Sequence, residues 1–537
     1  MIDELPKRDD LTPIALDVPN SDWAETPVCF KPGTYSRPAT KKDLDSLELP
    51  NPRMFSVDDA DWGLPERWED TILAGMKEQL AKNRSFSLFM DTCVRCGACS
   101  DKCHFYLGTG DPKNMPVLRA ELLRSVYRKH FTFAGKVLGK LAGGRSLSHD
   151  IIKEWTYYFF QCTQCRRCSV FCPFGIDTAE ITMIGRELLQ RLGIGTHWVL
   201  EPVANSLRTG NHLGLQPHAF KDSLEFVVDE LASATGIHAM PSINRKGAEI
   251  LFVTPSADLY AEPAIYTLMG YLLLFKYLDL DVTFSTFASD GGNFGLFASQ
   301  DLLKSLNAKI YDEARRLGVK WILGGECGHM WRVIHQYMDT MNGPADFLSV
   351  PVSPVTGTVF ENAKSTKAVH VCEFTADLIA HKKLVLEPRR NRKVIPTFHD
   401  SCNPARAMGL LEEPRYILRN VCESFVEMPA NTIREQTFCC GGGAGLGNDE
   451  NMEMRLRGGL ARGNAVAYVR DTQGVNMLSC ICAIDKATLP PLVEYWAPGV
   501  EVCGVHELVG NALVMPGESE DRKHGRINLR GQELGDV

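Results

Sequence analysis

Apolar residues follow two different spacings on the two sides of about residue 245. Before it, they recur at helical intervals, as in residues 115–141 and 178–192, and Asp177 or Thr178 is a suitable N-cap for the second stretch. After it, short apolar runs alternate with helical stretches, which predicts parallel α/β units. We therefore expect an α+β multidomain protein whose N-terminal part is helical.

The α/β region repeats its order of elements. Its first half, from about Lys246, predicts a strand, a helix at 263–278, a strand at 281–284, a Gly-rich turn at 289–295, a helix at 301–317 and a strand at 319–323. Its second half, from about Arg392, predicts a strand ending at Cys402, a helix at 413–422, a strand at 424–428, the turn CCGGGAG at 439–445, a helix at 451–469 and a strand at 475–479. This repetition indicates an internal duplication into two pseudo-symmetric α/β half-domains.

Aligning the two halves pairs polar residues with cysteines. The matched positions are 255–257 with Ser401 and Cys402, Ser289 and Asp290 with Cys439 and Cys440, and Cys327 with Cys482. The second half has the full set, Cys402, Cys439, Cys440, Cys480 and Cys482, whereas the first half retains Cys327. Ligands of parallel α/β sheets lie at the carboxyl ends of the strands, where these thiols are expected. The first half is therefore interpreted as degenerate and the second as intact.

Two cysteine motifs precede the α/β region. They read CVRCGACSDKC at 93–103 and CTQCRRCSVFCP at 162–173, and both have the spacing C-x2-C-x2-C-x3-C. In such pairs three thiolates hold one [4Fe–4S] cluster and the fourth holds the neighbouring cluster. The predicted ligand sets are Cys93, Cys96, Cys99 and Cys172 for one cluster, and Cys162, Cys165, Cys168 and Cys103 for the other. A pair of zinc sites gives no reason for this repeated spacing.

Composition and charge narrow the choice of function. No secretory signal is recognisable in the sequence, so we expect the 18 cysteines to be reduced or metal-bound and not to form disulfides. A net charge of −8 argues against a nucleic-acid partner. The turn CCGGGAG is a poor phosphate loop, because the Walker spacing Gly442 to Gly447 is followed by Asn448 and not by lysine. The best apolar run, 264–275, is too short for a membrane span, so any membrane attachment is expected through a partner.

The order Cys402, Cys439-Cys440-Gly441, Cys480 resembles the cysteine-rich CCG domain of heterodisulfide reductases, of glycolate and lactate oxidation subunits and of anaerobic glycerol-3-phosphate dehydrogenase. A dicluster ferredoxin domain fused to CCG halves is similar to the D subunit of heterodisulfide reductase. The sequences SCNPAR and CCGGGAG most resemble those of the DsrK-type subunits of DsrMKJOP complexes in dissimilatory sulfur metabolism. The resemblance covers about residues 85–510. It departs at the end, where Cys480-Ile481-Cys482 replaces CxxC.

This resemblance implies a thiol–disulfide oxidoreductase. Cys402, Cys439, Cys440, Cys480 and Cys482 would hold a catalytic third cluster, a special [4Fe–4S] or noncubane centre, with Cys327 as a further metal ligand. The two ferredoxin clusters would relay electrons between this centre and a haem-b membrane subunit. The implied substrate is the disulfide or trisulfide of a small DsrC-like protein. The implied location is peripheral, at the cytoplasmic face of the inner membrane.

Two other functions share these motifs. One is an electron-transfer subunit of a flavin-linked glycolate, lactate or glycerol-3-phosphate dehydrogenase, and the other is a scaffold with structural metal. His399, Asp400, Glu326 and His329 flank the cysteines and are candidate proton donors, although capping or hydrogen-bonding roles are commoner. Cys29, Cys372, Cys422 and Cys503 have no motif around them and are interpreted as structural thiols.

The predicted division of the chain has five parts. They are an extended N-terminal arm at 1–85, the helical ferredoxin domain at 86–245, the degenerate CCG half-domain at 246–390, the intact CCG half-domain at 391–515, and a flexible tail at 516–537.

Overall fold

A computed structural model describes residues 64–290, 293–447 and 451–535. Twelve helices and strands up to residue 253 are α1 Trp68–Lys82, α2 Arg84–Thr92, α3 His104–Thr109, α4 Pro116–Phe131, α5 Phe133–Leu138, α6 His149–Phe159, α7 Arg167–Val170, α8 Thr178–Gln190, α9 His197–Thr209, α10 Pro217–Thr235, β1 Ser242–Ile243 and β2 Ile250–Val253. The predicted first element of the α/β region is β2.

In the rest of the described chain, one or more helices separate each strand from the next. These elements are α11 Ala264–Leu278, β3 Val282–Phe284, α12 Gly295–Ala298, α13 Gln300–Leu317, β4 Trp321–Gly324, α14 Gly328–Val333, α15 Asp339–Asn342, β5 Ala368–His370, α16 Val371–Ala380, β6 Pro396–His399, α17 Glu413–Val421, α18 Met452–Gly458, α19 Leu460–Gln473, β7 Met477–Cys480, α20 Ala483–Trp496, β8 Glu501–Gly504, α21 Val505–Ala512 and α22 Glu520–Lys523. The combination of a helical part and parallel sheets confirms the predicted α+β class.

The described residues divide into two compact units. Of these residues, the first unit, called the helical unit, contains 64–204 together with 294–303 and 438–464, and the second, called the sheet unit, contains 205–293, 304–437 and 465–535. The contacts therefore group the CCGGGAG turn with the ferredoxin-type helices and place both sheets in one unit. This division differs from the predicted domain boundaries.

The helical unit is built around α4, α6 and α8. Their apolar faces meet at Leu123, Trp155, Phe159 and Leu188, all of which are fully buried. Gly185 allows α6 and α8 to approach closely, since a Cβ atom there would lie 2.4 Å from the Phe159 ring. Asp177 caps α8 as expected, with its carboxylate accepting from the Ala179 N–H at 2.9 Å.

The sheet unit contains two parallel sheets that share one order. The five-stranded sheet runs β1-β3-β2-β4-β5 and the three-stranded sheet runs β6-β7-β8. Val426 adds a single parallel bridge to Thr397 of β6, on the side away from β7. The order β3-β2-β4-β5 therefore recurs as Val426, β6, β7, β8, which supports the predicted duplication.

Two of the expectations from the sequence are wrong, one for residues 424–428 and one for residues 64–85. Residues 424–428 form one bridge and no strand, because only the Val426 N–H reaches across, to Pro396 O at 3.0 Å. Residues 64–85 are not an extended arm, since α1 begins at Trp68 and buries Ile72 and Met76. The rest of the predicted arm, residues 1–63, lies outside the described residues.

A third wrong expectation concerns residues 516–535, which are not a flexible tail. Glu518 is buried and pairs with Arg390, with carboxylate-to-guanidinium distances of 2.7 and 3.1 Å. Leu529 is buried in the core of the sheet unit. Arg530 bonds Glu507 at 2.6 Å. These buried contacts order the segment.

Within the described residues, no helix combines the length and apolarity that crossing a bilayer requires.

We predict that Glu518→Ala destabilises the sheet unit by about 3–5 kcal/mol, because it leaves Arg390 and Arg522 as unpaired buried cations. Thermal unfolding followed by circular dichroism measures the effect. Glu520→Ala removes an exposed carboxylate two residues further along, at the start of α22, so it is the matched control and should unfold like the unmodified protein. Equal unfolding temperatures for the two variants would contradict the structural role of this pair.

Candidate functional site

The first ferredoxin motif lines a cavity in the helical unit. Its thiols Cys93, Cys96 and Cys99 meet Cys172 of the second motif there. The cavity wall is completed by Val117 and Ala120 of α4, by Ile176 and by other residues of the two motifs. These four thiols, four of the five that line the cavity, are the predicted ligand set of one cluster.

A second cavity gathers the other predicted ligands. It is lined by Cys162, Cys165, Cys168 and Cys103. Cys168 lines the first cavity as well, so the two cavities are neighbours. The crossed ligand assignment stays a prediction, and the grouping of thiols agrees with it.

Both motifs have the same backbone conformation. Arg95 and Gln164, at equivalent positions, have φ values of +56° and +54°, and Gly97 and Arg166 have +80° and +62°. Left-handed residues reverse the chain and turn N–H groups towards the enclosed thiols, as in the 3.4 Å contact from Gln164 N to Cys162 Sγ. Each motif is thereby shaped to surround a compact group.

A buried arginine tests whether an anionic cluster fits. Arg119 is 2% exposed and its guanidinium contacts Asn114 Oδ1 at 2.5 Å and Cys103 Sγ at 3.9 Å. In the described part of the chain no carboxylate pairs with it. Burial alone would raise the pKa of Cys103, but the charges of Arg119 and His104 lower it below its usual value. A thiolate-bound iron–sulfur cluster is negatively charged and would satisfy this cation, so the site fits such a cluster.

The CCGGGAG turn lies in the same unit as these cavities. Cys439 and Cys440 are 1% and 4% exposed. Gly441 has φ +88°, and a Cβ atom there would lie 2.5 Å from Arg455 O of α18. Glycine is required at this position by the left-handed backbone and by this close approach. The turn is therefore packed tightly against the helix that follows it.

His104 connects the turn to the second motif. Its Nε2 lies 2.8 Å from Thr163 Oγ1, and its Nδ1 lies 2.8 Å from Gly458 O. Cys439 Sγ lies 3.4 Å from the same Thr163 hydroxyl. Potential ligand atoms of His104, Cys165 and Cys439 all lie within 4.8 Å of one another. Cys439 is thus adjacent to a predicted ligand of the second ferredoxin cluster.

Arg186 holds the same two segments from the other direction. Its guanidinium donates to Phe159 O and Cys162 O at 2.8–3.0 Å, and to Phe297 O and Ala444 O at 3.2 and 3.3 Å. Ala444 belongs to the CCGGGAG turn. Sequence reasoning missed Arg186, although an arginine on the apolar face of a predicted helix was a signal that could have found it.

The remaining predicted thiols lie in the sheet unit, at the carboxyl ends of strands. Cys402 follows β6 by three residues, Cys480 ends β7, and Cys482 is the N-cap residue of α20. Cys327 is the N-cap residue of α14, the position equivalent to Cys482. A Cβ atom at Gly328 would lie 3.2 Å from Cys482 Sγ, so Cys327 and Cys482 belong to adjacent segments.

The degenerate half has a polar cluster at its matched positions. Ser256 lies three residues after β2, as Cys402 lies after β6. Its Oγ donates to Asp290 at 3.0 Å, and His212 Nδ1 lies 2.9 Å from the same carboxylate. Burial alone would raise the pKa of Asp290, but His212 and the hydrogen bonds lower it. In this half, hydrogen-bonded polar side chains thus occupy the positions that are aligned with cysteines of the other half.

A buried ion pair lies beside Cys327. Glu326 accepts from the His506 N–H at 2.9 Å, and its other oxygen lies 3.0 Å from Lys486 Nζ. Burial alone would raise the pKa of Glu326, but Lys486 and His506 lower it to about 2. Asp258 lies 3.9 Å from Lys486 Nζ. All four side chains are fully buried or nearly so, and sequence reasoning identified only Glu326.

These partners decide the role of the flanking polar residues. Glu326 is committed to Lys486 and His506, and Asp400 to a bidentate pair with Arg415 at 2.6 and 2.7 Å. The structural interpretation therefore holds for both. His399 Nε2 lies 3.4 Å from Asp485, which also accepts from Ser401 at 2.6 Å. His329 is buried on α14 next to Cys327.

The cysteines without a motif are buried, as expected for structural thiols. Cys372 and Cys503 are fully buried and Cys422 is 4% exposed, whereas Cys29 lies outside the described residues. Cys372 has ligand-type atoms of Glu326 and His506 within 4.8 Å. Since Lys486 already supplies the cation beside Glu326, this group needs no metal ion for charge balance.

Comparison with known proteins agrees with this architecture. Residues 89–176 match the family described as a 4Fe-4S dicluster domain. The Hdr-like menaquinol oxidoreductase iron-sulfur subunit of Archaeoglobus profundus is 51% identical over 491 residues, 88% of each chain. The Hdr-like menaquinol oxidoreductase iron-sulfur subunit 2 of Archaeoglobus fulgidus is 49% identical over 523 residues, 94% of each chain.

A more distant relative is the D subunit of the dihydromethanophenazine:CoB–CoM heterodisulfide reductase of Methanosarcina mazei. It is 25% identical over 441 residues, which cover 79% of this chain and 94% of the relative. No solved structure matches this chain significantly.

The two thiol-lined cavities and the duplicated sheets, together with the dicluster match, define an iron–sulfur oxidoreductase subunit that transfers electrons. The chain belongs to the family of Hdr-like menaquinol oxidoreductase iron–sulfur subunits. The predicted relation to the D subunit of heterodisulfide reductase is thereby confirmed.

The crossed ligand pairing can be tested by counting iron. We predict that Cys93→Ala and Cys172→Ala each remove one cluster, about four iron atoms, and that the double variant loses no more. Cys103→Ala combined with Cys172→Ala should lose both clusters. Iron and acid-labile sulfide analysis of the purified chain measures these losses, with Cys422→Ala as a control that retains all iron. If the Cys93/Cys172 double variant lost twice as much iron as either single variant, the pairing would be wrong.

Removing the buried lysine should destabilise the sheet unit. We predict a loss of about 3–5 kcal/mol for Lys486→Met, because Glu326 and Asp258 keep their buried positions without the cation. Adding Glu326→Gln should restore most of it. Denaturant unfolding measures the change, with Lys320→Met, which breaks an exposed pair, as the control. Unchanged stability of Lys486→Met would refute this account.

Proposed function

We propose that this chain is the catalytic iron–sulfur subunit of a membrane-associated complex that exchanges electrons between menaquinol and a protein disulfide. The family relatives named as menaquinol oxidoreductase subunits support the quinol side. The relative named as a heterodisulfide reductase supports the disulfide side. Reduction of a disulfide consumes two electrons and two protons and yields two thiols.

One observation carries this proposal. Within the helical unit, thiols form a continuous series from the partly exposed first motif, through the shared Cys168, to Cys165 and then to Cys439 within 4.8 Å. An electron-transfer protein that ended at its ferredoxin clusters would have no need of a buried thiol of the CCG turn at this place. The series favours a terminal centre that includes Cys439.

When bound, [4Fe–4S] clusters supply one-electron transfer between the donor and this terminal centre. The chain holds them with Cys93, Cys96, Cys99 and Cys172, and with Cys103, Cys162, Cys165 and Cys168. Arg119 balances their negative charge at the second site. His104 and Thr163 fix the position of Cys439, and Arg186 fixes the backbone of the CCG turn.

The proposed third centre would be a special [4Fe–4S] or noncubane cluster. Its proposed ligands are Cys402, Cys439, Cys440, Cys480 and Cys482, with Cys327 as a candidate sixth thiol. Burial raises the pKa of Cys482 to about 12 and that of Cys327 and Cys480 well above the usual value. Such thiols are protonated when free, so metal binding must displace their protons.

The proposed partners follow from the same resemblance. A haem-b membrane subunit would exchange electrons with the first motif, and a small DsrC-like protein would present its disulfide or trisulfide. The complex would lie at the cytoplasmic face of the inner membrane, as in dissimilatory sulfur metabolism.

Turnover of the oxidised DsrC-like protein by the purified complex tests the proposal. We expect Cys440→Ser and Cys402→Ser to lower the rate of thiol formation, with a menaquinol analogue as reductant, by a factor of roughly 100 or more. Thiol titration of the substrate measures the rate, and electron paramagnetic resonance should still detect both ferredoxin clusters.

Cys422→Ser controls for the general effect of a buried cysteine substitution. The disulfide chemistry would be refuted if Cys440→Ser turned over substrate at the unchanged rate and electron paramagnetic resonance of the unmodified complex showed no third cluster. Electron transfer to a flavoprotein by that same variant would instead favour the dehydrogenase-linked function.

A further inference from the structure

The turn after α4 exposes an unusual group of apolar side chains. Phe133, Val137, Leu138 and Leu141 are 84%, 66%, 53% and 90% exposed. They occupy α5 and the 3₁₀ turn Gly139–Ala142 that continues it. These four residues are called the apolar knob below. Single exposed apolar residues are normal, but four within nine positions form a patch that calls for a partner.

The knob is held rigidly by its own backbone. The Thr132 hydroxyl accepts from the Gly135 N–H at 3.1 Å and caps α5. A Cβ atom at Gly135 would lie 1.8 Å from Arg128 O, so the start of the knob is pressed against α4. The Gly144 N–H donates to Gly139 O at 2.9 Å and closes the turn. The apolar side chains are therefore presented by an ordered segment.

Three lysines in and beside the knob have no acidic partner among the residues that the structure describes. No aspartate or glutamate occurs between Glu121 and Asp150, although the whole chain has a net charge of −8. Arg128 and Arg145 are paired with Glu121 and Glu154. Lys129, Lys136 and Lys140 form no ion pair with any residue that the structure describes. The patch thus combines apolar side chains with free positive charge.

This combination favours a lipid surface over a protein groove. A stable protein interface buries about 800 Å² on each side, more than four side chains on one short turn provide. Segments that bind the bilayer interface place Phe and Leu in the acyl region and Lys beside anionic headgroups. The apolar knob and its three lysines match that chemistry.

We propose that the apolar knob inserts into the interface of an anionic bilayer and that Lys129, Lys136 and Lys140 contact lipid phosphates. The chain would then touch the membrane directly, in addition to any attachment through a partner subunit. This contact does not depend on the proposed disulfide chemistry.

Co-sedimentation of the full, cluster-loaded chain with protein-free vesicles tests the proposal. The vesicles are phosphatidylcholine with or without phosphatidylglycerol. We expect binding to the anionic vesicles and weak binding to the neutral ones. Lys136→Glu with Lys140→Glu should weaken anionic binding by at least about thirtyfold, since each lost lysine accounts for roughly fivefold and the new carboxylates add repulsion. Phe133→Asp with Leu141→Asp should abolish binding to both vesicle types.

Matched controls separate the patch from general effects. Lys304→Glu with Lys383→Glu makes the same charge change at exposed positions elsewhere, and Phe226→Asp removes an exposed aromatic of the sheet unit. Both should bind vesicles like the unmodified chain. Visible absorption of the clusters verifies that each variant is folded.

Three results would overturn the proposal. They are absence of vesicle binding by the unmodified chain, equal loss in the control variants, and vesicle binding that the knob variants leave unchanged. If the unmodified chain did not bind protein-free vesicles and the knob variants did not assemble into the membrane complex, the patch would be a docking site for a protein partner instead.

Discussion

The candidate site depends on the hydrogen bonds that the buried guanidinium of Arg186 donates. It donates to backbone carbonyls from sequence-distant segments, including Cys162 O in the second ferredoxin motif and Ala444 O in the CCG turn. A planar, permanently charged group can satisfy several carbonyls at fixed angles, which a lysine cannot do as well. Because these carbonyls belong to the loops that carry the thiols, Arg186 sets the distance between the loops. His104 and Thr163 then set the position of Cys439 within that frame.

Buried charge has a similar role in the sheet unit. Lys486 lies on α20, four residues after Cys482, and pairs with Glu326, the residue before Cys327. The pair thus connects the two helix N-termini that carry these cysteines. A buried ion pair adds little net stability but penalises any arrangement that separates its members. This penalty keeps the segments that carry Cys327 and Cys482 in a fixed arrangement.

The duplication gives two equivalent strand ends with different contents. In the degenerate half, Ser256, Asp290 and His212 satisfy one another by hydrogen bonds. In the intact half the equivalent position of Ser256 is a cysteine, Cys402. A polar group that is fully hydrogen-bonded can remain buried at low cost, so these three residues need no metal ion to satisfy them. The asymmetry therefore favours one terminal centre and not two.

The sequence alone determined the iron–sulfur chemistry, the helical and α/β parts and the duplication. These follow from local patterns: cysteine spacing, helical periodicity and the repeated order of strands and turns. It failed for short elements such as β5 and β8, whose three or four residues form strands only because neighbouring strands provide hydrogen-bond partners. It failed likewise for the predicted tail, whose order comes from the Arg390–Glu518 pair.

Only the tertiary structure decided which distant groups meet. The proximity of Cys439 to Cys165 and the burial of Lys486 beside Glu326 join residues separated by more than 150 positions. Only the structure likewise shows that Leu141 is exposed and that Lys129, Lys136 and Lys140 form no ion pair with the described residues. Spacing in a sequence records what neighbours along the chain can do together, whereas burial and charge pairing depend on segments that only folding brings into contact.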